Sequence, residues 1–561
     1  MIFPFTKQRM ISRKYFIKKN KLLQREHSQK QSLIPFHHFI DTTFIKLLLV
    51  VVLLLGSKTA FAQVAANPDS ALQVILGEIK GTSLSLKDAQ EYAQKKSTSV
   101  QIAKASYLAA KGAVRRDAGY FDPEFFLSLN YENQKQPTSS FFAGANILNT
   151  KQTTYTGGFR MDLPIGTQLE LSVNAVKLQT NSQFAFLNPE FNTLGSLSFR
   201  QPLLNGFTAS ARKQLTHSEQ MLDAAKARYD QEMVTVNSQV ELSYWNLYVA
   251  ERDYAVQKLS RNQAEAFLKE TELRAKAGLV GPDQVANAKT FLAQQEIQLL
   301  DREEQFDGQS DAFASLIGVR PEDKMKRFIP TDDPPAEYNV EDVEVLVERT
   351  LKNNLDLEAM QKEVDASRVL VDAAKWESLP RVDLIGSLSS NGLGGSAQNV
   401  IFGGDTLRAT SKGSLGDALN QVFKREYPNW SIGVEVSVPI GMRSGLGEED
   451  RLEAQYLSTQ QRYIDLSRSL EEQVRSSYRE LFNGKRRLEA AKNGVEAAQE
   501  QVRIGLIEFH NGRTTAFELV RLGADFASAQ QQYSEALVRT AKAAASLKQL
   551  TSGGFTAKNI Q

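Results

Sequence analysis

The chain has 561 residues, no cysteine and a formal net charge of +2. The lack of cysteine excludes disulfides, thiol chemistry and a lipid-modified N-terminal cysteine. Residues 1–62 hold 11 of the 67 Lys/Arg but only 2 of the 65 Asp/Glu, so the remainder is net −7 and offers nothing to nucleic acid.

Residues 1–62 read as a signal peptide with a long basic n-region. Nine basic residues lie between Lys7 and Lys30, Leu47 to Leu55 is apolar, and Ala60-Phe61-Ala62 fits a cleavage site before Gln63. Met10 is an alternative start. An uncleaved anchor is the competing reading, but the apolar run falls short of the roughly 20 residues of a comfortable span. Residues 63–80 read as an exported linker. No later stretch is long and apolar enough for a transmembrane helix.

A first unit spans 81–317. From Leu84 to about Gly119 the pattern is helical, with Leu86, Ala89, Ala93, Val100, Ala103 and Tyr107 on one side, and Asp122-Pro123 stops it. The period then becomes two. Phe125, Leu127, Leu129 and Tyr131 alternate with Phe126, Ser128, Asn130 and Glu132. Segments 155–163 and 169–175 alternate similarly, and a fourth strand is predicted at Leu197 and Phe199, so the strands occupy about 123–203. A soluble sandwich alternates in the same way. An outer-membrane barrel requires it, apolar to lipid and polar to lumen. Asn133 to Thr154 reads as a long outer loop and Pro164–Thr167 as a short inner turn.

Next comes the longest element. From Ala209 to Ala277 there is no proline or glycine. Met233, Val240, Leu247 and Tyr254 repeat every seven residues, with Leu222, Tyr229 and Val236 beside them. That narrow seam belongs to a helix packed lengthwise on other helices. Gly278-Leu279-Val280-Gly281-Pro282 turns the chain, and a return helix runs from Asp283 to about Leu316, making a hairpin over 207–317. Residues 318–338, with four prolines, read as an irregular linker.

The plan then repeats over 339–552, with strands within about 381–440, a hairpin over 448–552 and a loose tail at 553–561. Gln239, Tyr244, Leu247 and Gly278 recur as Gln473, Tyr478, Leu481 and Gly512, all at an offset of 234. A constant offset means internal duplication.

Helix, strands, long helix, tip and return helix, twice over behind a leader, resemble the TolC-type outer-membrane efflux proteins across residues 81–552. The most specific match is the tip, Ala277-Gly278-Leu279-Val280 with Val285, and Asn511-Gly512 with Glu518-Leu519. The resemblance implies a mainly α fold with a membrane β-barrel. Duplicated hairpins from three chains would form an α-barrel, and two or more amphipathic strands per repeat an outer-membrane barrel. It implies a homotrimer, a periplasmic adaptor and an inner-membrane transporter of RND or ABC type, no cofactor and no metal. Gly278, Leu279, Val280, Gly512 and Arg513 would dock the adaptor. Asp283, Gln284, Glu518 and Arg521 would line the constriction.

Two departures stand out. The family usually has one strand pair per repeat, whereas the first repeat here holds two, which points to six strands per chain. The family's aspartate and arginine positions at the tip hold Gln284 and Thr514, and its second acidic position holds Arg521. Its closing lock therefore does not carry over; Asp283 and Arg513, each one residue away, are the candidates to replace it. The plainer reading of Asp283, Glu518 and Arg521 is solvated helix-end charge, and that of Tyr244 and Trp245 is packing between rods. His217 and His510 stand alone, and the sequence has no nucleophile elbow, HExxH or phosphate loop, so an enzyme has no visible site. The alternative to an export channel is a structural coiled-coil tether of the envelope, which has no use for barrel-length amphipathic strands.

Overall fold

The structure, a computed structural model, describes residues 70–321, 327–335, 338, 340–409, 413–511 and 513–553. The leader with its cleavage site, Gly512 and the tail beyond Gly553 lie outside the described residues.

The elements in chain order are α1 (Ser70–Glu78), β1 (Thr82–Leu84), α2 (Leu86–Lys96), α3 (Thr98–Ala118), β2 (Glu124–Pro137), β3 (Ile147–Asp162), β4 (Gln168–Thr180), β5 (Leu187–Pro202), α4 (Ala209–Lys276) and α5 (Pro282–Ile317). They continue as β6 (Phe328–Pro330), α6 (Val343–Asn353), α7 (Leu355–Glu377), β7 (Arg381–Ala397), β8 (Asn399–Phe402), β9 (Asp405–Arg408), α8 (Leu415–Lys424), β10 (Tyr427–Ser437), α9 (Arg443–His510) and α10 (Ala516–Leu550).

The two long helices, α4 and α9, have 68 residues each, or about 100 Å at 1.5 Å per residue. Their seams are buried where the return helices meet them. Val236, Val240, Tyr244 and Leu247 of α4 pack with Phe306, Phe313 and Ile317 of α5. Leu470, Val474 and Leu481 of α9 pack with Leu547 of α10. Adding 234 to Val236, Val240, Leu247 and Phe313 gives those four residues, so the duplication built two equivalent cores.

Several expectations are corrected. The 63–80 linker contains α1, because Leu72, Ile75 and Leu76 share one helical face and, with Ile79 just past its end, meet Ala255 and Val256. The helix predicted over 84–119 is two helices, interrupted at Ser97, whose backbone is extended (φ −58°, ψ 134°). The linker at 318–338 includes a strand, β6, which pairs in parallel with β1 and so ties the junction of the repeats to the start of the first. Most of the loop expected at 133–154 is strand, since β2 and β3 pair as far as Pro137–Ile147. The Gly/Ser-rich connection between β7 and β10 carries β8, β9 and α8.

Six strands form one antiparallel sheet in the order β10-β7-β5-β4-β3-β2. Its register aligns side chains in rows. One row reads Phe125, Phe159, Leu171, Leu197, Leu388 and Trp430, and the next Met161, Leu169, Phe199, Gly386 and Ile432. The opposite face carries Ser128, Thr156, Asn174, Ser172, Ser196, Ser389 and Asn429. One face thus carries an apolar band across all six strands, and the other is mainly polar at the same level, with Phe126 and Leu194 among its Ser, Thr and Asn residues.

Helix α8 sits on the apolar face, over a floor without side chains. A Cβ on Gly392 would lie 2.0 Å from the Ala418 carbonyl oxygen, and one on Gly195 would lie 2.5 Å from Val422. Only glycine admits the helix there, and Ala418 and Val422 are buried as a result. Thr193 Oγ1 completes the seat by donating to the Ala418 carbonyl at 2.9 Å.

Candidate functional site: helix tips and strand sheet

The first tip is a Schellman turn. The Leu279 N–H donates to the Arg274 carbonyl at 2.9 Å, and the Gly278 N–H to the Ala275 carbonyl at 3.0 Å. Gly278 takes φ +71°, the left-handed conformation where a Cβ is strained. Leu279 stands 74 % exposed and Val280 is half-buried. Pro282 then opens α5 at its first turn, with Asp283 exposed beside it.

The second tip repeats the outer hydrogen bond of this turn. The Arg513 N–H donates to the Glu508 carbonyl at 2.8 Å, the counterpart at offset 234 of the Leu279–Arg274 bond. Gly512, the counterpart of Gly278, lies outside the described residues. Thr515 caps the start of α10, its hydroxyl accepting the Glu518 N–H at 3.3 Å.

The predicted constriction residues are brought together only in part. Glu518 pairs with Arg521 on the next turn, with Nε to Oε2 at 3.1 Å, and Arg521 reaches Asp525 at 3.7 Å. The Arg521 guanidinium holds the Glu518 carboxyl below its ordinary range. The acidic position is therefore compensated within its own chain. Among the described residues, Asp283 and Arg513 do not pair with each other, so any lock they make must come from outside the single chain.

One tip contact was not foreseen. The Arg274 guanidinium, in the last turn of α4, lies 4.4 Å from the Phe509 ring centroid in the last turn of α9. It ties the two hairpins together next to the turns. Neither residue stands out in sequence, because the contact joins positions 235 residues apart.

Where the sheet meets the helices, the polar face becomes charged. Arg200 bridges Asp383 and Glu435, with the Glu435 contact at 2.9 Å, and Arg381 reaches Asp383 at 2.8 Å. Glu124 pairs with Arg160 at 2.7 Å. These acids and bases balance one another, and farther along the strands the lining is mainly Ser, Thr and Asn, with Phe126, Val176 and Leu194 among them. Among the described residues there is no group of side chains suited to a metal ion.

Residues 346–553 match the sequence profile of the family described as outer membrane efflux protein. No curated protein matches the chain in sequence. Solved structures match it in fold. The outer-membrane channel OprN is 18 % identical with a TM-score of 0.61, over 84 % of this chain and 90 % of that one. The CmeC outer membrane channel of Campylobacter jejuni is 14 % identical with a TM-score of 0.60, over 84 % and 86 %. The outer membrane protein VceC of Vibrio cholerae is 15 % identical with a TM-score of 0.58, over 84 % and 97 %. The second repeat thus carries the sequence pattern of outer membrane efflux proteins, and the described chain has the fold of TolC-type channels.

Proposed function

We propose that three copies of this chain form a passive duct from periplasm to exterior, the outer-membrane channel of a tripartite efflux or type I secretion system. The observation that carries the reading is the sheet, apolar in continuous rows on one face and lined with small polar groups on the other. Such a sheet is stable in a bilayer only as part of a closed barrel. The paired rods add a periplasmic extension that a coiled-coil tether would share, but a tether leaves the apolar rows without a solvent. Two hairpins per chain are too few to enclose a useful pore, whereas six enclose one. Gly278, Leu279, Val280, Gly512 and Arg513 form the end that docks a periplasmic adaptor and, beyond it, an inner-membrane transporter of RND or ABC type. Asp283, Gln284, Glu518 and Arg521 lie at the narrow end.

The test is fractionation and mass. The processed protein is expected in the outer-membrane fraction, and its detergent-solubilised mass is expected to be that of a trimer which heating converts to monomer on a gel. A soluble monomer would end this reading.

A further inference from the structure

The sheet treats its free edges in two opposite ways. Strand β7 has 17 residues but β10 only 11, so β7 loses its neighbour beyond Asn391. That stretch is covered. The Leu393 N–H donates to Gln421 Oε1 at 2.9 Å, and Gln421 Nε2 donates to the Leu393 carbonyl at 3.1 Å. The side-chain amide of α8 thus stands in for a strand residue. Two residues on, Gly395 exchanges both backbone hydrogen bonds with Gly413, at 2.8 and 3.2 Å.

The outermost edges, on β2 and β10, receive no such cover. Among the described residues no backbone group outside the sheet bonds to either. Their apolar side chains are among the most exposed of the sheet, with Leu127 at 74 % and Trp430 at 75 %. Natural edges are usually blunted by proline, lysine or a bulge. Here proline stands only at Pro137 and Pro428, near strand ends, and Lys135 is the one lysine on either strand. Long, largely apolar on one face and unprotected, these edges are suited to pairing.

What pairs with them follows from direction. With an even number of antiparallel strands, β2 and β10 run in opposite senses. The β10 edge of one copy therefore meets the β2 edge of the next as another antiparallel pair, and the contact repeats head to tail until it closes. Outward residues stay outward if odd positions of β2 meet even positions of β10.

We infer that β10 pairs with β2 of a second copy, and that three copies close an eighteen-stranded barrel. This rests on the trimeric duct proposed above and departs from the single strand pair per repeat usual in the family that the chain resembles. Eighteen strands spaced about 4.8 Å apart and tilted about 40° give a backbone diameter of about 36 Å, against about 24 Å for twelve. The six long and six return helices of three copies, at about 8–10 Å spacing, enclose a ring about 31–38 Å across. The wider barrel thus continues the helical duct without narrowing at the membrane. Its lining of Ser, Thr and Asn leaves that width open to bulky cargo, and selection falls to the tips.

The cysteine-free sequence makes the seam directly testable. In the full chain, Leu127→Cys is paired in turn with Trp430→Cys, Ile432→Cys, Val434→Cys or Val436→Cys, and the trimer is oxidised in outer membranes. At least one pair is expected to shift the band on a denaturing, non-reducing gel to about three times the monomer mass. Ser128→Cys, which faces the other way, is expected to give no such band with the same four partners. An intramolecular cross-link would show a sheet closing within one chain and overturn the inference. So would the absence of any cross-link in particles whose measured mass is still that of a trimer, and the duct would stand. A monomeric mass would instead remove the trimer itself.

Discussion

Tyr244→Phe removes one oxygen from the centre of the first core and leaves the ring. The side chain is fully buried, with its ring 5.1 Å from Trp245 and 6.0 Å from Phe313. Its hydroxyl accepts the N–H groups of Thr331 at 2.9 Å and Asp332 at 3.0 Å, and it lies 3.0 Å from the Leu84 carbonyl, to which it can donate. This one atom fastens the linker between the repeats to the long helix. Without it, Thr331 N–H still has the Leu84 carbonyl at 3.3 Å, whereas Asp332 N–H loses its acceptor. One orphaned donor near the surface costs about 1–2 kcal/mol, and Tyr244→Ala, which also leaves a cavity, costs about 3–5 kcal/mol. Hydrogen exchange over residues 328–333 is expected to accelerate roughly 5–30-fold in the Phe variant. Burial pushes the Tyr244 phenol up to about 12, against about 10 unfolded. Its contribution to stability is therefore intact below pH 10 and lost as pH rises through about 12, and Tyr244→Phe is expected to lack that alkaline loss. If the Phe variant exchanges like the parent, or loses as much stability as the Ala variant, the hydroxyl is not the fastening.

In the sheet, Leu127→Arg is expected to cost about 2–4 kcal/mol per chain and to reduce trimer yield, and Ser128→Arg much less; equal defects would reverse the two faces. At the tips, Gly278→Ala has open space for its methyl group, so the cost is conformational alone, about 1–2 kcal/mol. Trimers are expected to assemble while export falls, as also for Gly512→Asp, and unimpaired export in both variants would remove the tips from adaptor docking. Glu518→Gln exposes the Arg521 charge and Arg521→Gln exposes the Glu518 charge, so ion selectivity in planar bilayers is expected to shift away from cations in the first and towards them in the second. Unchanged selectivity in both would place the pair outside the pore. Burial raises the carboxyl of Glu251 to about 7, with Arg252 opposing and Asp333 reinforcing the shift. Its protonated form is the one the fold favours, so stability here is expected to decline as pH rises from about 5 through 7. Glu251→Gln should reduce that slope in exchange over residues 248–256 and leave the smaller part due to Asp253, whose carboxyl burial raises to about 6, and an unchanged slope would assign it elsewhere.

Local pattern was enough for much of this protein. The first long helix was legible because about seventy residues without proline or glycine, with a seven-residue seam, have no other stable conformation, and the second followed from its constant offset from the first. The duplication and both reversals followed from a constant offset and from a glycine in the sequence at each, and at Gly278 the backbone itself makes the demand. The first repeat's four strands and the two faces of β2 followed from alternation, since a strand cannot hide which side each residue takes. The helix at 70–78 was missed because nine residues carry too little periodicity to stand out from a linker. Other features had no local signature at all. Tyr244 looked like packing because its hydroxyl partners lie in a proline-rich segment almost ninety residues away. Arg274 and Phe509 are ordinary until two hairpins lie side by side. The stretch from Ser389 to Ser396 reads as the start of a Gly/Ser-rich loop, for glycine and serine favour no strand by themselves. Only the packed fold turns Gly392 into the floor beneath α8 and Gln421 into the cover of an open edge. Backbone approach and edge pairing belong to partners distant in the chain, and they come into being when the sheet and helix meet.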